Sequence, residues 1–168
     1  LDISDKINDD LYLGLLHAQF GNLNYDCFNY ESAIENFQKA YEYYEKAGKE
    51  TYMHYTLLNL APLYYEMGDW TKGKTTLFDC MEWAHDNGIK NVFDNCVDQL
   101  FLLSVSSSMP SIVDEIIGMY GMQSLTLNTP VHYGLAYKYA LGSDLQMFRK
   151  HIKRAWETSD SNQDTTNI

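Results

Sequence analysis

Apolar residues recur at helical spacing along most of the chain. Leu11, Leu15, Leu16, Phe20 and Leu23 recur at steps of four, one, four and three, a helical spacing that predicts a helix over residues 9–26. Asn29 follows Cys27-Phe28 and is placed as the N-cap of a second helix over 30–47. Ala33, Ile34, Phe37, Ala40, Tyr41 and Tyr44 form its core face, and Gly48 closes it. The layout then returns, with a helix over 51–67, a tight turn at Gly68-Asp69, a helix over 70–87 and Gly88 as the stop. A third pair spans 91–122, with Ser106-Ser107-Ser108 in its turn and Pro110 in a first helical turn, where its missing N–H costs nothing. A fourth opens on Thr129-Pro130, read as N-cap and first helical residue, and turns at Gly142-Ser143-Asp144. Its last helix carries Leu145, Phe148, Ile152, Ala155 and Trp156.

Ala33, Gly73 and Val113 stand at matching places in three of these pairs, 40 residues apart each time. Phe148 takes the fourth place after a step of 35. A fixed period of this length is the mark of a stacked repeat array. The expectation is an all-α chain of about eight helices with no strand. Its units lie at about 9–48, 49–88, 89–128 and 129–158 within one domain, 1–158. The polar stretch 159–168 reads as a cut connection to further sequence, and the chain as a fragment of a larger protein.

Composition narrows what such an array holds. Among 168 residues, 23 are acidic and 12 are Lys or Arg, for a net charge of −11. Nucleic acid is a poor partner for that balance, because phosphate binding rests on cationic side chains. An anionic membrane surface is disfavoured for the same reason. No apolar run approaches the roughly 18 residues of a membrane span. Cys27, Cys80 and Cys96 include no C-x-x-C pair, so neither a disulfide framework nor a zinc site is expected. Cys80 falls at the place of Ala40 and reads as a small core residue. Unpaired thiols point toward the cytoplasm, with a periplasmic face as the alternative.

The repeat residues resemble tetratricopeptide repeats. The best-matching unit has Leu57, Leu60-Ala61 and Tyr64 in its first helix, Gly68-Asp69-Trp70 at the turn, and Gly73, Leu77 and Cys80 in the second. The first unit matches through Phe20-Gly21, Tyr30, Ala33, Phe37 and Ala40, and the fourth through Leu135-Ala136, Tyr139, Gly142 and Ala155. The third departs, with Ser104 where an aromatic is expected and Val113 and Tyr120 where small residues belong. The resemblance implies a right-handed α-solenoid of about four helix hairpins, with first helices lining a concave face. The long period is similar in style to bacterial regulatory and sensory arrays, including the peptide-pheromone receptor group.

By position in that family, the concave face is expected to present Gln19, Asn22, Tyr25, Asp26, Tyr55, Leu58, Asn59, Tyr65, Glu66, Asn95, Asp98, Gln99, Tyr133 and Tyr137. Amides pair with both N–H and C=O of an extended chain, and tyrosine supplies contact area with few rotors to freeze. The implied function is a non-catalytic protein- or peptide-binding scaffold. The alternative is the ligand-sensing module of a bacterial regulator. Asp26, Glu66 and Asp98 favour a basic or neutral partner, and exposed apolar faces at the ends admit a homodimer. His17, His54, His85, His132 and His151 are dispersed, with no phosphate loop or nucleophile elbow. Glu82-x-x-His85 has the spacing of one half of a carboxylate-bridged metal site, and the second copy such a site needs is missing. No enzyme, cofactor or metal is expected.

Overall fold

The structure is a computed structural model that describes residues 3–163. Among these it contains eight α-helices and no strand: α1 (Ile3–Asp26), α2 (Tyr30–Lys46), α3 (Glu50–Glu66), α4 (Trp70–Asp86), α5 (Lys90–Ser106), α6 (Ser111–Tyr120), α7 (Thr129–Leu141) and α8 (Leu145–Gln163). A 3-10 turn at Met122–Ser124 lies between α6 and α7. The fold is therefore all-α and built of helix hairpins, as the periodicity predicts. Residues 164–168 of the expected polar tail lie outside the described residues, while its start continues α8. The chain divides into two compact units, Leu1–Val92 and Phe93–Ile168.

One backbone device fixes the period. Phe28, Gly48, Gly68, Gly88 and Ser108 all have positive φ and stand 20 residues apart. Each is the left-handed residue that ends one helix. Gly48 N–H donates to the Glu45 carbonyl and Lys49 N–H reaches back to that of Tyr44, the paired bonds of a Schellman turn. Gly68-Asp69, Gly88-Ile89, Phe28-Asn29, Ser108-Met109 and Ser143-Asp144 repeat the pair of bonds. Except at Met109, where Pro110 intervenes, the second residue of each turn also stands just before the next helix. In that role Asp69 accepts from Lys72 N–H at 3.0 Å, and Asp144 from Met147 N–H at 3.0 Å. Asn29 holds the N-cap position without a side-chain bond. Because α2, α3 and α4 each have 17 residues, a three-residue turn returns the chain in antiparallel register. The 40-residue repeat is two such steps.

In the first unit α1 packs on α2, α2 on α3 and α3 on α4. Ala33 and Phe37 of α2 close a core with Leu60, Leu63 and Tyr64 of α3, flanked by Tyr30, Ile34 and Leu57. Burying a ring such as Phe37 is worth about 1.5–3 kcal/mol. The small residues let aromatic rings press against backbone. A Cβ on Gly73 would stand 1.9 Å from the Tyr65 ring, and one on Gly21 would stand 2.7 Å from that of Phe37. Tyr44 lies under Gly14 and against Tyr52 at 5.2 Å, so tyrosines fill the seam between the first two hairpins. Cys80 is fully buried.

In the second unit α7 packs on α8. Phe93 of α5 meets Tyr120 of α6 edge-on at 5.1 Å, and Gly134 of α7 admits the Phe101 ring of α5. The period breaks here. α6 has 10 residues and ends at Gly121, φ 72. The irregular link from 121 to 128 follows, and α7 is capped by Asn128 rather than Thr129. The Asn128 side chain accepts from Val131 N–H at 3.2 Å, which displaces Thr129 into the helix.

Two stability outcomes follow from these contacts. Phe28 is 78% exposed and touches Tyr30 edge-on, so little packing offsets its left-handed backbone. Phe28→Gly should raise the unfolding free energy by about 1 kcal/mol in a urea titration; a loss of stability would contradict the turn geometry. Gly73→Val should cost about 1–3 kcal/mol by overpacking against Tyr65, with part of that loss recovered in the Gly73→Val, Tyr65→Ala double variant.

Candidate functional site

The residues expected on a concave face fall into three groups. In the first unit Gln19, Asn22 and Asp26 share one exposed face of α1, and Tyr55, Asn59 and Glu66 share one of α3. Tyr25 is exposed near the end of α1. Tyr55 hydroxyl accepts from the Asn91 amide at the start of α5. These are polar side chains on solvent-facing helix surfaces, suited to hydrogen bonding with another chain.

Two first-unit residues belong to the packing instead. Leu58 is buried, and Tyr65 covers Gly73 and stacks on Trp70 at 5.9 Å. The helical spacing puts Leu58 beside Asn59, but α3 is covered on two sides, so its open face is narrow.

In the second unit Asn95 and Tyr133 are exposed, while Asp98, Gln99 and Tyr137 are half-buried. Asp98 is drawn into the fold. Both its carboxylate oxygens accept from the Asn128 amide at 2.7 Å, while the Asn128 oxygen caps α7. Beside it, Thr126 hydroxyl contacts both oxygens of Asp94 at 3.1 Å. Burial holds the Asp98 carboxyl above the usual carboxylate range; Asn128 pulls it down and Asp94 pushes it up. A basic ligand would have to displace the cap of α7 to reach Asp98.

One solvent-facing stripe of the first unit is apolar. Leu13, Leu16, Phe20 and Leu23 fall on one side of α1 at the 3-4-3 spacing of a packing helix, and all are exposed. The helix buries Gly14 and Gly21 instead. The apolar pattern that predicts α1 thus marks an open face rather than a core face. The period explains it. Forty residues on, Phe20 and Leu23 correspond to Leu60 and Leu63, which pack against α2. Leu60 and Leu63 are 3% and 0% exposed, against 45% and 59% for Phe20 and Leu23. α1 presents to solvent the face that α3 presents to a helix. Comparing equivalent positions between the two hairpins is the sequence signal that identifies this stripe.

The remaining chemistry is modest. His17 bonds Asn36 at 3.0 Å and stacks on Tyr43, and His54 stacks on Trp83 at 3.6 Å. His85 lies against Asp86 at 3.3 Å. Among the described residues no three His, Cys, Asp or Glu side chains are grouped to hold a metal ion. No described helix is long and apolar enough to cross a membrane.

The family model described as anaphase-promoting complex subunit 5 matches residues 17–107, more than half of the chain. The chain belongs to the anaphase-promoting complex subunit 5 family. The match runs from within α1 through α5. It supports the helical-repeat class and not the bacterial regulatory type that the long period resembles. No curated protein matches the chain.

Asn128 provides a test of the polar contacts. Asn128→Ala removes the α7 cap, for a loss of about 0.5–2 kcal/mol, and leaves Asp98 without its donor. A carboxyl raised in the folded state binds its proton more tightly there than in the unfolded chain. Its contribution is therefore lost as pH rises from the ordinary carboxylate value through the raised one. The destabilisation by Asn128→Ala, measured against wild type, should be larger at pH 7 than at pH 4. An equal loss at both would contradict the Asp98–Asn128 contact.

Proposed function

We propose that the chain is a non-catalytic scaffold segment of a multiprotein assembly, and that α1 docks a helix of a neighbouring protein along Leu13, Leu16, Phe20 and Leu23. The observation that carries this reading is the open stripe on α1, in which Phe20 and Leu23 are exposed while their equivalents on α3, Leu60 and Leu63, are covered by α2. An amphipathic helix is the matching occupant. It meets such a stripe through residues at the same spacing, with small and aromatic side chains like Ala33 and Phe37 as its packing face. The family supports the same direction, because its name is that of a subunit of a complex, the anaphase-promoting complex. Binding would be by shape and apolar burial, with no bond chemistry.

The polar faces of α1 and α3 suit a second, hydrogen-bonded contact in the same assembly. Gln19, Asn22, Tyr55 and Asn59 would meet backbone or polar side chains there. Asp26 and Glu66 would favour a basic or neutral segment. The ligand-sensing alternative draws no support from the family match.

The experiment compares wild type with Leu16→Glu, Phe20→Glu in the cells of origin. Both side chains point to solvent, so the variant should keep the thermal midpoint of wild type within about 2–4 °C. Wild type should co-migrate on size-exclusion chromatography with subunits of the anaphase-promoting complex, and the variant should fall at least about tenfold in that fraction. Equal co-migration of the two would contradict the proposal, as would a wild type that stays monomeric. A wild type that forms only dimers would assign the stripe to a second copy.

A further inference from the structure

The second unit holds a cavity whose charge is opposite to that of the chain as a whole. It lies beside α7 and α8 and measures about 530 Å³. His132, His151, Lys150 and Arg154 line it together with Met122 and Met147, and no carboxylate is among its lining residues. In a chain with 23 acidic residues and 12 Lys or Arg, such a grouping is unusual. Glu157 lies 3.4 Å from an Arg154 nitrogen and 3.8 Å from Lys153. It occupies part of one guanidinium, which has five donors to share.

The two histidines are buried and joined directly, Nδ1 to Nδ1, at 3.0 Å. Tyr139 of α7 stacks on His151 at 5.4 Å. A bond between two Nδ1 atoms requires one ring to donate and the other to accept. The donor ring then has a bare Nε2 and the acceptor ring an Nε2–H. One further proton leaves the bond intact and gives both rings an Nε2–H. A second would place two like charges at the shared bond. The pair is therefore built to gain one proton.

The surroundings hold that proton off. Burial and the Arg154 guanidinium keep His132 below the usual histidine range. Burial, His132 and Lys150 do the same to His151. An anion among these cations would reverse the balance and draw in the proton as it bound.

We propose that this cavity binds an organic anion, a carboxylate or phosphate group on a small apolar body, and takes up about one proton with it. Lys150, Arg154 and the histidine pair would meet the charge, and Met122 and Met147 the apolar part. The ligand class follows from cationic donors beside flexible apolar side chains. This inference stands apart from the α1 stripe and does not depend on it.

The test titrates the full chain with benzoate and with phenyl phosphate, following the histidine ring resonances and the heat of binding in buffers of different ionisation enthalpy. At least one probe should bind saturably, about tenfold more tightly at pH 6 than at pH 8, with uptake approaching one proton at pH 6 and falling away toward pH 8. Benzoate alone would name a carboxylate, phenyl phosphate alone a phosphate, and both the shared chemistry. Lys150→Met, Arg154→Gln changes only exposed side chains and should weaken binding at least tenfold without moving the thermal midpoint. His151→Gln should remove the pH dependence. Failure of both probes at pH 6, or equal binding by the Lys150 and Arg154 variant, would overturn the proposal.

Discussion

The left-handed residue at every turn is the constraint on which the regular part of this molecule depends. It closes one helix with two backbone bonds and delivers the next residue to the start of the following helix. Helix length, antiparallel return and the alignment of core faces follow from that spacing. A residue inserted in α2 or α3 would rotate the downstream face by about 100° and part Phe37 from Leu60. The close approaches at Gly21 and Gly73 depend on the same register, because each glycine must arrive opposite one particular ring. Where the spacing fails, in the short α6, the chain resorts to a 3-10 turn and an asparagine cap to start again.

Much of the fold was legible because that constraint is written in sequence. Gly48, Gly68 and Gly88 announce the turns, and Ala33 and Gly73 announce the close helix pairs. Phe28 and Ser108 occupy the same left-handed position without being glycine, so Asn29 and the Ser106-Ser107-Ser108 run mark their turns instead. Asn128 was hidden behind Thr129-Pro130, which has the composition of a helix start of its own. The oxygen of Asn128 nevertheless reaches Val131 N–H while its amide engages Asp98.

The candidate surfaces were less legible, for a physical reason. An apolar stripe has the same pattern whether or not something covers it. Leu16, Phe20 and Leu23 therefore read as core until they are compared with Thr56, Leu60 and Leu63, their buried equivalents. Polar residues pose the reverse problem. Asp98 and Asn59 both suit a binding face, yet one is tied by Asn128 and the other is exposed. Spacing within one helix cannot show a partner that arrives from 30 residues away. The His132–His151 contact joins residues 19 apart on two helices, and for the same reason no single-helix pattern points to it.

The docking proposal requires that a partner cover the exposed stripe of α1. Hydroxyl-radical footprinting of the isolated chain and of the chain purified within the proposed assembly measures that directly, side chain by side chain. In the isolated chain Phe20 and Leu23 should be modified readily, and Leu60 and Leu63 hardly at all. In the assembly the account predicts that Phe20 and Leu23 fall to the level of Leu60 and Leu63. Phe20 and Leu23 as reactive in the assembly as in isolation would contradict it.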